Sequence, residues 1–168
     1  MTILFNNEKP FVEGVSLNEL TSIVETPFYV YSQKSITDTY NKLKNSINAE
    51  MFFSVKANSN LAILSLMKSL GIGADVVSSG ELKRAISAGI TPEKIIFEGV
   101  GKSKEDIEYA IDNNIRQINI ESMEELNMIN AIGQRLNKKI FIGVRLNPDI
   151  ASQSHYKIST GRSTDKFG

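Results

Sequence analysis

The chain has 168 residues, with 19 basic and 19 acidic side chains, no cysteine and one histidine. Balanced charge argues against a binder of nucleic acid or other polyanions; the missing cysteines exclude disulfides and thiolate metal sites, and the single histidine argues against a zinc site. A hydrophobic content of 41%, no apolar run long enough to span a bilayer and no basic leader predict a soluble cytoplasmic protein with no nucleic-acid or membrane partner.

In chain order, residues 1–50 read as a lead-in. "TPFYVYS" (26–32) alternates like a strand, and 35–47 reads as a helix with Ile36, Tyr40, Leu43 and Ile47 on one stripe. From residue 51 one plan repeats: an apolar run, a polar turn, then an amphipathic helix. The predicted strands are Met51–Val55, Ala74–Val77, Lys94–Phe97, Gln117–Ile120 and Lys139–Leu146, read as apolar on both faces. The predicted helices are Asn60–Leu70, Ser79–Ala88, Lys104–Asn113 and Met123–Leu136. Ser78 with Glu81 and Ser122 with Glu125 fit the capping box, in which hydroxyl and acid each satisfy an orphan backbone N–H; Ser103 with Asp106 is a weaker version. Gly71 and Gly89 mark helix ends. Residues 99–106, "GVGKSKED", lack phosphate-loop spacing and read as an ordinary turn into a helix. The polar tail from Pro148 to Gly168 reads as a long loop.

Strands separated by single helices imply parallel βαβ units. An open flavodoxin-like sheet and part of a (β/α)8 barrel both fit, and periodicity does not separate them. Either fold carries chemistry at the C-terminal strand ends, which here bear Lys56, Asp75, Glu98, Glu121 and Arg145. Lys56 follows an apolar run; a desolvated lysine becomes a nucleophile toward carbonyls, whereas a snorkelling lysine, or one paired with Asp75, is only structural. Asp75 reads equally as a turn acid or an orienting group. Arg145 suits a phenolate, carboxylate or phosphate, or a salt bridge to an acid of the neighbouring strand. His155 lies in the polar tail, where a lone histidine is usually solvated.

"FFSVKANSN", "GADVVSSGEL", "NIESMEEL", "VRLNP" and "HYKISTGRSTDKFG" occur in an order that resembles the diaminopimelate decarboxylases, over about residues 26–168. The resemblance implies an alanine-racemase-type (β/α)8 barrel of which residues 51–168 supply the first five or so strands. It implies pyridoxal 5'-phosphate as cofactor, held covalently by Lys56, with Asp75 and Arg145 beside it and Glu81 on the rim. Residues 147–164 would be an active-site loop carrying His155. The implied reaction is decarboxylation of meso-diaminopimelate to L-lysine by a homodimer. Family chains are more than twice this length, so the resemblance also implies a fragment, inactive alone, lacking the C-terminal barrel half and a β domain. Relatives acting on ornithine, arginine or carboxynorspermidine, a non-catalytic cofactor carrier and an open flavodoxin-like module are the alternatives.

Overall fold

The structure, a computed structural model, describes residues 3–6, 9–150, 160–162 and 167. It divides into two compact units, Met1–Ala49 and Glu50–Gly168. In the first, β1 (Leu4–Asn6), β2 (Lys9–Val12) and β3 (Val15–Ser16) form an antiparallel sheet in that order. Glu13 and Gly14 make the two-residue β2–β3 turn with φ of 51° and 81°, the left-handed pair that matches strand twist. Sequence reading missed this hairpin because Glu-Gly is not one of the strong turn dipeptides. A single helical turn, α1 (Leu17–Leu20), follows. The longer helix α2 (Gln33–Ser46) starts at Ser32, whose Oγ accepts from the Ser35 N–H at 2.9 Å. The Glu13 carboxylate accepts from Ser32 Oγ and, at 2.9 Å, from the Lys34 N–H, so the hairpin turn and the helix start are joined.

One expectation fails here. The strand over 26–32 does not form: residues 28–31 alternate half-buried and exposed side chains, but no strand pairs with them among the described residues, and Tyr29 is 88% exposed. Alternation supplies a pleat, and a strand also needs a partner. The helix expected over 35–47 forms as α2, with Ile36, Tyr40 and Leu43 at helical spacing and Ile47 as its extended C-cap; none of the helix's residues is fully buried.

The second unit holds β4 (Phe52–Ser54), β5 (Gly73–Val76), β6 (Ile95–Phe97), β7 (Gln117–Ile120) and β8 (Ile142–Val144), all parallel and adjacent in chain order. The helices α3 (Leu61–Ser69), α4 (Ser79–Ser87), α5 (Lys104–Asp112) and α6 (Met123–Leu136) fill the four connections. Register places Ala74, Ile95, Val76, Phe97 and Ile118 on one face, and these join Leu64, Leu82, Ile107 and Ile129 of the helices in one core. One helix-covered face with sequential strand order is the winding of a barrel; a doubly wound sheet reverses order at a switch point and has helices on both faces.

The opposite face corrects the expectation of strands apolar on both sides. Ser54, Asp75, Ile96 and Gln117 lie in register on it, with Asn119 opposite Gly143, and most of this set is polar and half-buried. In short strands period two leaves only two or three residues per face, too few for an apolar run to reveal the polar side. A Cβ on Gly143 would collide with the Asn119 and Gln117 side chains. β8 is shorter than the predicted Lys139–Leu146: Ile118 N–H donates to Phe141 O and Arg145 N–H to Ile120 O, both at 3.0 Å, and beyond these the described edge is unpaired.

Candidate functional site

Lys56 does not sit in the strand. β4 ends at Ser54, and Val55–Ala57 forms a 3-10 turn that sends Val55 into the core and leaves Lys56 exposed. Of the readings the sequence left open, the solvent-reaching lysine fits and the desolvated one does not: the turn leaves the Lys56 side chain exposed, on the lining of a cavity. Among the described residues no ion pair joins it to Asp75.

That cavity measures about 670 Å³ and is lined by Lys56, Asp75, Val77, Glu98, Arg145 and Phe167, among others. Three of the four residues to which the resemblance gives a place at the cofactor or on the active-site loop thus converge on one space, together with Glu98, within the size range of small-molecule sites. The fourth, His155, lies outside the described residues, as does most of the tail around it.

Asp75 accepts from Ser54 Oγ at 2.9 Å through Oδ2, while Oδ1 is buried without a partner. Burial raises its carboxyl above the usual carboxylate range. The Ser54 bond opposes this, the Glu98 carboxylate adds to it, and Lys56 and Arg145 act against it from farther off. Glu98 accepts from Asn119 Nδ2, and Asn119 Oδ1 in turn accepts from Gln117 Nε2 at 2.5 Å. Ser54 and this amide ladder escaped sequence reading. The available signal was register: Ser54 stands two residues before Lys56 and directly beside Asp75.

Arg145 follows β8, with its guanidinium 4.4 Å from the centre of the Phe167 ring. Its NH1 lies 3.5 Å from Glu121 Oε1. The salt-bridge alternative read from the sequence is therefore present, in an arginine that also lines the cavity. Asn147 Nδ2 donates to the carbonyls of Arg162 at 2.7 Å and Phe167 at 2.9 Å, which pins the returning chain beside β8.

The turns that carry these groups are fixed by acids in the first turns of the helices, though not as expected. Ser78, Ser103 and Ser122 all cap through Oγ. Only Ser103–Asp106, the weaker pair on sequence, closes a full capping box. Glu81 and Glu125 reach one residue farther back, to the N–H groups of Val77 and Glu121, both at 2.9 Å. Their extra methylene carries the carboxylate past the cap, so Glu81 holds the backbone of a cavity residue. Asp106 Oδ1 also accepts from the Ser79 N–H of the neighbouring turn at 3.2 Å.

Comparison with known proteins places this arrangement. The diaminopimelate decarboxylase of Aquifex aeolicus is 43% identical over 159 residues, which is 94% of this chain and 38% of the relative. The crystal structure of diaminopimelate decarboxylase from Helicobacter pylori complexed with L-lysine matches with a TM-score of 0.86 at 44% identity, covering 90% of this chain and 39% of that one. The diaminopimelate decarboxylase from M. jannaschii in complex with L-lysine matches with a TM-score of 0.86 at 37% identity, covering 99% and 41%. The chain thus spans about two fifths of the length of these relatives, and its five-stranded sheet is the N-terminal part of their barrel. The profile of the pyridoxal-dependent decarboxylases, pyridoxal binding domain, matches residues 33–168, and with a match of that extent the chain belongs to this family.

Proposed function

We propose that this chain forms the cofactor-binding part of a diaminopimelate decarboxylase, which removes one carboxylate of meso-diaminopimelate to give L-lysine. The observation that carries the proposal is Lys56 on its 3-10 turn, facing a cavity shared with Asp75 and Arg145. The residues present fit pyridoxal 5'-phosphate. Lys56 offers a primary amine at the mouth, Arg145 offers guanidinium charge for an anionic oxygen, and Asp75 Oδ1 is a buried acceptor with an open valence. Lys56 would hold the cofactor covalently, with Asp75 and Arg145 orienting it. When bound, pyridoxal phosphate supplies the aldehyde to which an amino acid attaches and a ring that takes up the electron pair left as carbon dioxide departs.

The chain's own residues do the rest. Exposure leaves the Lys56 amine free to exchange with an incoming amine. Ser54 fixes one Asp75 oxygen and so aims the other. Glu121 and Phe167 hold the Arg145 guanidinium from two sides, so it does not swing when an anion arrives. His155 is proposed to reach the substrate from the tail. The lysine in two of the matched structures supports the product assignment over ornithine or arginine substrates. The resemblance further supports a cytoplasmic homodimer for the full-length enzyme; among the described residues no helix is long and apolar enough to cross a membrane.

The test uses the full-length enzyme with pyridoxal phosphate. A visible absorption band is expected in the wild type and is lost in Lys56→Ala, together with carbon dioxide release from diaminopimelate. A band that persists in Lys56→Ala removes the lysine from its role, and release from ornithine but not diaminopimelate reassigns the substrate.

A further inference from the structure

Lys102 is the most buried charged residue among those described, at 6% exposure, and nothing in the proposed chemistry uses it. Its Nζ donates to Gly99 O at 2.6 Å and lies 3.3 Å from both oxygens of Glu125, with the Phe97 ring 5.9 Å away. Glu125 is buried as well, and its Oε2 also accepts from the Glu121 N–H. Each end of this pair therefore grips a piece of the site. At one end is the turn whose Gly99 and Val100 wall the cavity. At the other is Glu121, whose carboxylate meets Arg145.

A buried ion pair is a poor stabiliser compared with apolar side chains of the same volume, because desolvation consumes most of the attraction. Its advantage is directional: an ammonium with three donors sets the distance between a carbonyl and a carboxylate, which a methionine cannot do. We propose that Lys102 is a positioning residue for the cofactor site, its pair with Glu125 holding the Gly99 turn and the Glu121–Arg145 contact at the spacing the cofactor needs. The proposal rests on the reading that this cavity takes pyridoxal phosphate.

The test compares full-length wild type, Lys102→Met and the double variant Lys102→Met/Glu125→Gln, reading the dissociation constant for pyridoxal phosphate from the visible band and the melting temperature from circular dichroism. Lys102→Met is expected to weaken cofactor binding roughly tenfold or more, by analogy with the loss when a residue that orients a metal ligand is removed. The double variant no longer buries an unpaired carboxylate, so its melting temperature returns toward wild type while its cofactor affinity stays low. If affinity recovers together with melting temperature, Lys102 is structural and the proposal falls; unchanged affinity in Lys102→Met overturns it as well. If Lys102→Met does not fold, the double variant carries the comparison. A wild type without any band that Lys56→Ala removes overturns the functional reading, and this proposal with it, whereas the other adverse results leave that reading standing.

Discussion

Asp75 and Asp106 are both held by serines, yet they respond to pH in opposite directions. Hydrogen bonds from Ser79 first, then Ser103, keep Asp106 below the usual carboxylate range, whereas burial lifts Asp75 above it. A lowered carboxyl contributes stability that is present above its unfolded value and lost as pH falls through its folded one. Asp106→Asn should therefore cost about 1 kcal/mol at neutral pH, the scale of a lost helix cap, and that cost should shrink in acid. A raised carboxyl has the reverse sign: its stability is present below the unfolded value and lost as pH rises through the folded one. Asp75→Asn should accordingly gain stability relative to wild type as pH goes from acid to neutral, in the cofactor-free protein. Urea unfolding at several pH values checks both, and parallel profiles for the two variants would contradict them. Asp75 could be picked from the sequence as a strand-end acid. Its single open oxygen could not, because that depends on Ser54 lying beside it across a parallel pair 21 positions away.

At the scale of elements, the helix ends show most clearly what was legible. Gly71 and Gly89 were recognised as stops, and both have the left-handed backbone that glycine permits, with φ of 80° and 86°. Asn114 and Asn137 do the same work at the ends of α5 and α6, with φ of 52° and 50°, and were not recognised, because asparagine is also common in polar turns. All four ends close alike. The next N–H reaches back over the last turn, from Ile72 to Met67, Ile90 to Ala85, Ile115 to Ala110 and Lys138 to Gly133. Asn137→Gly should therefore keep or slightly raise stability, while Asn137→Ala should cost about 1 kcal/mol for a left-handed residue with a Cβ. Chemical denaturation separates the two, and equal effects would mean the left-handed conformation is not what Asn137 provides. Helix starts were legible in their serines and misread in their acids, since sequence spacing does not show that glutamate overshoots the cap that aspartate reaches.

For the whole molecule, alternation of strand and helix was readable throughout residues 51–146, but not its winding. Order and facing settle that: five strands adjacent in sequence order, one face packed on helices, the other polar. The polar face hid because Ser54, Asp75, Gln117 and Asn119 are each isolated in short apolar runs and become a group only across strands. The same arrangement leaves β8 as an edge among the described residues, with Phe141 65%, Val144 64% and Leu146 80% exposed. An exposed apolar edge templates further strands. The 168-residue chain is thus expected to associate as its concentration rises in sedimentation experiments. Phe141→Lys with Leu146→Lys should shift it toward monomer, and an unchanged distribution would place the contact elsewhere.

The sequential strand order has a consequence for how the polypeptide reaches this state. Among the described residues each of the five parallel strands pairs with the one made just before it and the one made just after, so these βαβ units form without waiting for a distant segment. On a ribosome the sheet can grow in step with synthesis, each new helix shielding the strand it follows.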